Sequence, residues 1–158
     1  MSNTSRKIVR FFEALGSPVG RKNKNLNFPA WIKSNEITKK EFFGALLGNE
    51  LCSPKFSENR HYINSLDFAL CGSIELKENR LNLLNEIKLY LSSYGIKCSD
   101  NIYENEFRPG RYSWRLCISK EFENLLKFKK LILIRYSNAK IDRINSSLLE
   151  QFDWKKNK

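Results

Sequence analysis

Between residues 111 and 118 the chain reads Arg111-Tyr112-Ser113-Trp114-Arg115-Leu116-Cys117-Ile118, and this alternation admits one kind of local structure. Successive side chains of a β-strand point to opposite faces. Tyr112, Trp114, Leu116 and Ile118 therefore share one face, while Arg111, Ser113, Arg115 and Cys117 share the other. An apolar face backed by a basic one predicts a half-buried antiparallel strand, packed on helices on one side only. Arg108-Pro109-Gly110 immediately before it has turn composition, so 96–107 is predicted to be its hairpin partner.

The remaining elements follow from periodicity and punctuation. Ile8, Val9, Phe11, Phe12 and Leu15 mark a short amphipathic helix from Ser5, stopped by Gly16-Ser17-Pro18 and followed by the basic loop Gly20-Arg21-Lys22-Asn23-Lys24. Thr38-Lys39-Lys40-Glu41 has the pattern of a capping box, which predicts a helix starting near Lys39. An extended segment after Glu50, turn composition at 57–60, and the alternation of Leu66, Phe68 and Leu70 against Ser65, Asp67 and Ala69 predict two strands. Asn79 is the expected N-cap of a helix whose stripe is Arg80, Leu84, Ile87, Leu91 and Tyr94, ended by Gly95 as the residue after its C-cap. Helix is expected again over 120–134, with one or two shorter helical pieces over 135–152.

At 158 residues the chain has room for one domain with a proper core. The expected organisation is a basic N-terminal helix and connector over 1–38 and a single domain over 39–158. Lys and Arg number 28 against 17 Asp and Glu, a net charge of +11, which favours a polyanionic partner, nucleic acid before membrane. A lysine-rich genome composition produces the same excess. Cys52, Cys71, Cys98 and Cys117 are widely spaced and His61 is the sole histidine, a pattern without zinc-site spacing. The expectation is a cytoplasmic protein with reduced thiols, without a signal peptide or a membrane span.

The stretch Phe42-Phe43-Gly44-Ala45-Leu46-Leu47-Gly48-Asn49-Glu50-Leu51 is unusual for a helix. Two glycines inside it each cost about 1 kcal/mol relative to alanine, which close approach of another backbone would offset. Glu50 falls at the helix C-terminus, where the macrodipole disfavours a carboxylate and a cation would be welcome. Periodicity alone describes an ordinary buried helix followed by a solvated glutamate.

The order of residues from Phe43 to Leu51 resembles the LAGLIDADG motif of homing endonucleases. Ala45 stands at the motif's first glycine, Gly48 at its first aspartate, Glu50 at its metal-binding acid and Leu51 at its last glycine. Leu15-Gly16-Ser17-Pro18-Val19-Gly20-Arg21-Lys22 followed by Pro29-Ala30-Trp31-Ile32 is similar to the connector before the second motif in two-repeat archaeal and intein-encoded members. The resemblance implies an α+β domain of αββαββα order, in which a four-stranded antiparallel sheet forms a saddle with helices on one face.

It also implies a function. Two such motif helices pair, from two repeats or two subunits, and each delivers one acid to metal ions beneath the DNA backbone, where two-metal hydrolysis of the phosphodiester occurs. Glu50 is then the catalytic and metal-binding acid, Mg2+ the expected cofactor, and Gly44, Ala45, Leu47 and Gly48 the contact face of a homodimer or of a pairing with another LAGLIDADG chain. Glu50 is the only acid in this copy of the motif. Active members often carry a lysine near the end of the second strand; residues 70–72 offer none, and Lys77 is the nearest substitute.

Arg111, Ser113 and Arg115 suit phosphate contacts and base edges, since arginine can bridge guanine O6 and N7. A solvated sheet face shows the same pattern. Lys55, His61, Asn64 and Tyr103 are further candidates for contact with double-stranded DNA. Two functions result: half of a homing-type endonuclease, or a catalytically degenerate relative that binds DNA as a regulator or intron RNA as a maturase.

Overall fold

A computed structural model describes residues 24–52, 54–57, 62–64, 66–132, 134 and 137–156; the expected helix from Ser5, its basic loop and His61 lie outside the described residues. The described elements are α1 (Ala30–Lys33), α2 (Glu36–Glu50), β1 (Lys55–Ser57), β2 (Tyr62–Asn64), β3 (Asp67–Gly72), α3 (Lys77–Ser93, entered through a 3-10 turn at Ile74–Leu76), β4 (Tyr103–Arg108), β5 (Arg111–Cys117), α4 (Phe122–Leu131) and α5 (Asn138–Lys156). The class is α+β.

The main sheet is antiparallel, in the order β3-β5-β4. Among the described residues it has three strands where four were expected. The segment after α2 supplies only a single bridge from Leu51 to Phe68 and a bond from the Cys52 amide to the Asp67 carbonyl, 2.9 Å. Pro54 follows, and without an amide hydrogen it cannot continue a ladder. The chain then forms a separate two-stranded ladder in which Lys55 pairs Asn64 and Ser57 pairs Tyr62.

β5 has the facing that its alternation requires. Trp114 and Leu116 are fully buried, as is Ile118 just beyond the strand, and Tyr112 is half-buried with its ring stacked on Trp114. Phe43 and Leu47 of α2, Leu84, Ile87 and Leu91 of α3, Leu125 and Phe128 of α4, and Ile144 and Leu148 of α5 complete one core with them. The Trp114 indole N–H donates to Glu104 Oε2 at 2.7 Å, so the buried ring keeps its polar atom satisfied.

Several helix boundaries differ from expectation, each for a local reason. α2 starts at Glu36, because Asn35 and not Thr38 is its N-cap: Asn35 Oδ1 accepts from the amides of Ile37, 2.8 Å, and Thr38, 3.3 Å. The earlier start adds a turn with Glu36 against the positive end of the helix dipole. Asn79 is not a cap either. Its side chain accepts from the Leu26 amide at 2.9 Å and donates to the Leu26 carbonyl at 2.8 Å, pinning the segment before α1 to α3. The buried Arg80 beside it donates to the Lys24 carbonyl.

The end of α3 is as expected. Gly95 has φ of 68°, its amide donates to the Ser92 carbonyl, and the Ile96 amide donates to Leu91, the paired bonds of a Schellman ending. β4 is shorter than the expected 96–107, Cys98 making only a bridge to Ile118. α5 is one helix of 19 residues where one or two shorter pieces were expected.

Two stability predictions follow from this packing. Trp114→Ala should lower the unfolding free energy by about 3 to 5 kcal/mol in denaturant titration, because the ring fills the space between sheet and helices. Asn35→Ala should cost about 1 kcal/mol while Thr38→Ala stays within about 0.5, and the reverse order would restore Thr38 as the cap.

Candidate nucleic-acid interface

Cross-strand partners in a sheet share a face, so the β5 register fixes which side chains surround its arginines. Arg115 lies between Ala69 of β3 and Tyr103 of β4, Ser113 between Cys71 and Asn105, and Arg111 opposite Arg108. Arg108, Asn105 and Arg111 are exposed, Tyr103 is 58% exposed and the Arg115 side chain 50%. Arg108 and Arg111 are like charges facing one another at the hairpin end, an arrangement that an anion between them would stabilise. Sequence reasoning missed Arg108, read as part of the turn, because the irregularity between Glu106 and Arg108 shifts the register of β4; it also missed Asn105, which stands in regular alternation with Tyr103.

Ser113 requires a correction. It is only 3% exposed, a short side chain on the middle strand, and its Oγ accepts from Arg115 Nε at 3.4 Å. It steadies Arg115 instead of reaching a ligand. Asp67, also missed, faces the same side opposite Cys117. Its Oδ2 lies 3.4 Å from Arg115 Nη1, and its buried Oδ1 has no hydrogen-bond partner. Arg115 is therefore tethered at one edge and open at the other. Lys55 and Asn64 belong to the β1–β2 ladder, outside the three-stranded sheet.

Glu50 is the last residue of α2 and half-buried. Lys140 in the first turn of α5 reaches this helix end and donates from Nζ to the Asn49 carbonyl at 2.7 Å. Each charge sits at the wrong end of its own helix: a carboxylate at the C-terminus of α2, an ammonium at the N-terminus of α5. Each alone costs a few tenths of a kcal/mol to about 1, and each offsets the other. Burial lowers Lys140 from the ordinary lysine value, opposed by Glu50 and then Cys52. Burial raises Cys52, Asp67 beside it adds to the rise, and Arg115 and Lys140 act the other way. The contacts that geometry gives here are the Lys140 ammonium on the Asn49 carbonyl, the Cys52 amide on the Asp67 carbonyl and the Asp67–Arg115 pair.

These residues do not fit a metal ion held by one chain. Among the described residues no group of three or more His, Cys, Asp or Glu is placed to hold one. A lysine ammonium, which cannot be a ligand while protonated, bonds to the carbonyl next to Glu50.

Among the residues of the expected contact face, Leu47 is corrected to the core. Leu47 is fully buried and belongs to the core of its own chain, on the stripe that continues through Phe43 and Leu51. Gly44 and Gly48 are buried as well, and Ala45 is half-buried. Lys77 is not beside Glu50. β3 ends at Gly72 and the 3-10 turn carries the chain to α3, where Lys77 pairs with Glu104 at 2.8 Å. The cross-strand neighbour of Glu104 is Trp114, so this pair belongs to the helix-covered side of the sheet.

The fold and this face define an α+β domain that presents arginines, asparagine and tyrosine on an open sheet. No protein-family model matches the chain, and no solved structure matches it. It is 34% identical over 139 residues to tRNA-splicing ligase RtcB of Methanocaldococcus jannaschii, across 87% of this chain and 14% of the ligase. It is 30% identical over 138 residues to DNA-directed RNA polymerase subunit Rpo1N of the same organism, across 85% of this chain and 10% of the subunit. The chain spans about a seventh of the first protein and a tenth of the second. Among the described residues no helix is long and apolar enough to cross a membrane.

The Lys77–Glu104–Trp114 arrangement has a pH consequence. Hydrogen bonds from Lys77 and then from Trp114 hold Glu104 below its ordinary value of 4.5. A depressed carboxylate contributes stability that is complete above the unfolded value and is lost as pH falls through the folded one. Glu104→Gln should therefore flatten the fall of melting temperature below about pH 4.5. An unchanged acid limb would mean that the pair adds nothing.

Proposed function

We propose that the chain is a LAGLIDADG-type domain that binds double-stranded DNA with the outward face of β3-β5-β4, and that it is one half of a homing-type endonuclease completed by a second motif helix. The observation that carries this reading is the basic outward face of the sheet, where Arg108, Arg111 and Arg115 stand with Asn105 and Tyr103. Glu50, the residue at the motif's acidic position, directly precedes the Leu51–Phe68 bridge and the Cys52–Asp67 bond that tie the end of α2 to β3. A strand face laid along the major groove sets alternate side chains toward base edges and phosphates, the mode used by β-sheet readers.

The names of the two relatives, a tRNA-splicing ligase and a DNA-directed RNA polymerase subunit, fit the coarser part of this reading, a nucleic-acid partner. One stretch of sequence recurs in a ligase and a polymerase subunit, over a small fraction of each. A segment common to two such different proteins is separable from either activity, as an inserted, mobile module is. One observation favours the non-cutting reading, a degenerate relative that binds DNA or structured RNA: the ammonium of Lys140 beside Glu50.

The test is equilibrium binding of a duplex at two salt concentrations. Arg111→Ala/Arg115→Ala should weaken binding with little loss of stability, and the slope of log K against log salt should fall by about 0.9 for each phosphate contact removed. Unchanged affinity would remove the sheet face from the proposal. Competition by structured RNA stronger than by duplex DNA would move the assignment to RNA.

A further inference from the structure

We propose that Lys140 is a built-in cation for the motif helix, its ammonium taking the position in which the resemblance puts a divalent metal, so that a single copy of this chain has no metal site at Glu50. The inference rests on the reading of Glu50 as the motif's acid, and it goes beyond that reading by stating what stands opposite the acid. Three observations carry it. The Lys140 ammonium lies 2.7 Å from the carbonyl of Asn49, a residue 91 positions away in sequence, so the contact is a product of the fold and not of local chain geometry. Lys140 is held there by α5, which packs along β1 and β2 as well as α4. Finally, the helix end it caps carries Glu50 and is tied to the sheet by the Cys52 amide on the Asp67 carbonyl, with Arg115 beyond Asp67. An added divalent ion at this helix end would meet the Lys140 ammonium, and among the described residues no group of three or more His, Cys, Asp or Glu is placed to hold it.

An ammonium fixed at the helix end opposes the arrival of a divalent ion there, because like charges repel more strongly in a partly buried position than in water. The helix end is in either case supplied with the positive charge that its dipole favours. The lysine therefore replaces the metal's structural role while withholding its chemical one: an ammonium cannot bind and ionise a water as a metal does.

The experiment uses the whole chain without DNA, so its outcome does not depend on whether duplex binding is found. Melting temperature and titration calorimetry are measured with magnesium chloride, with sodium chloride at equal ionic strength as the control. The wild-type protein should melt at the same temperature in both and show no magnesium-binding heat. Lys140→Met should melt about 2 to 4 °C lower in sodium chloride and recover part of that in magnesium. Lys140→Arg should behave as wild type, and the magnesium response of Lys140→Met should vanish in Glu50→Gln/Lys140→Met. Saturable magnesium binding by the wild-type chain would overturn the proposal, as would a Lys140→Met protein indifferent to magnesium. If Lys140→Met does not fold, the wild-type and Lys140→Arg titrations alone decide it.

Discussion

The structure depends first on the pairing of β5, the one strand of the main sheet with a neighbour on both sides. Its period-two pattern decides at once which face becomes core and which stays open. Trp114 and Leu116 fix the inward side against the helices, and a one-residue slip would drive Arg115 inward in their place. The cost of burying an unpaired guanidinium makes that slip prohibitive. The position of every outward residue, from Tyr103 on β4 to Asp67 on β3, is then a consequence of register alone.

A second constraint ties the motif helix to that sheet. The C-terminus of α2 is held by the Leu51–Phe68 bridge, by the Cys52 amide on Asp67 and by Lys140 on Asn49. Glu50 is fixed by its neighbours on each side. The opposed helix ends of α2 and α5 explain how a carboxylate is tolerated where the dipole disfavours it. The same contacts hold the end of α2 against β3, whose Asp67 meets Arg115 of the open face.

What was legible in the sequence was local. The alternation of 111–118, the turn before Arg111 and the ending at Gly95 each rest on a few adjacent residues, and each stands in the structure. The cap of α2 was misread because Asn35 and Thr38 both satisfy the local pattern, and only the extra turn gained by Asn35 separates them. A fourth strand is not among the described strands of the main sheet, because strand pairing is long-range and Pro54 has no amide hydrogen with which to extend the Leu51–Phe68 bridge. Ser113 was read by its facing alone, which says nothing of the depth at which a short side chain sits on a middle strand. Lys140 could not have been found at all, since nothing near it in sequence points to Asn49.

The central claim, that nucleic acid lies on the open face of β3-β5-β4, is tested most directly by thiol footprinting. Cys71 is exposed and pairs across the sheet with Ser113, so it stands on that face. Cys98, whose thiol burial pushes up to about 11, is a slow internal reference, because the thiolate is the reactive form. Alkylation of Cys71 should slow markedly when duplex DNA is added at low salt and recover when high salt releases it, with Cys98 unchanged throughout. Full reactivity of Cys71 in a saturated complex would contradict the account.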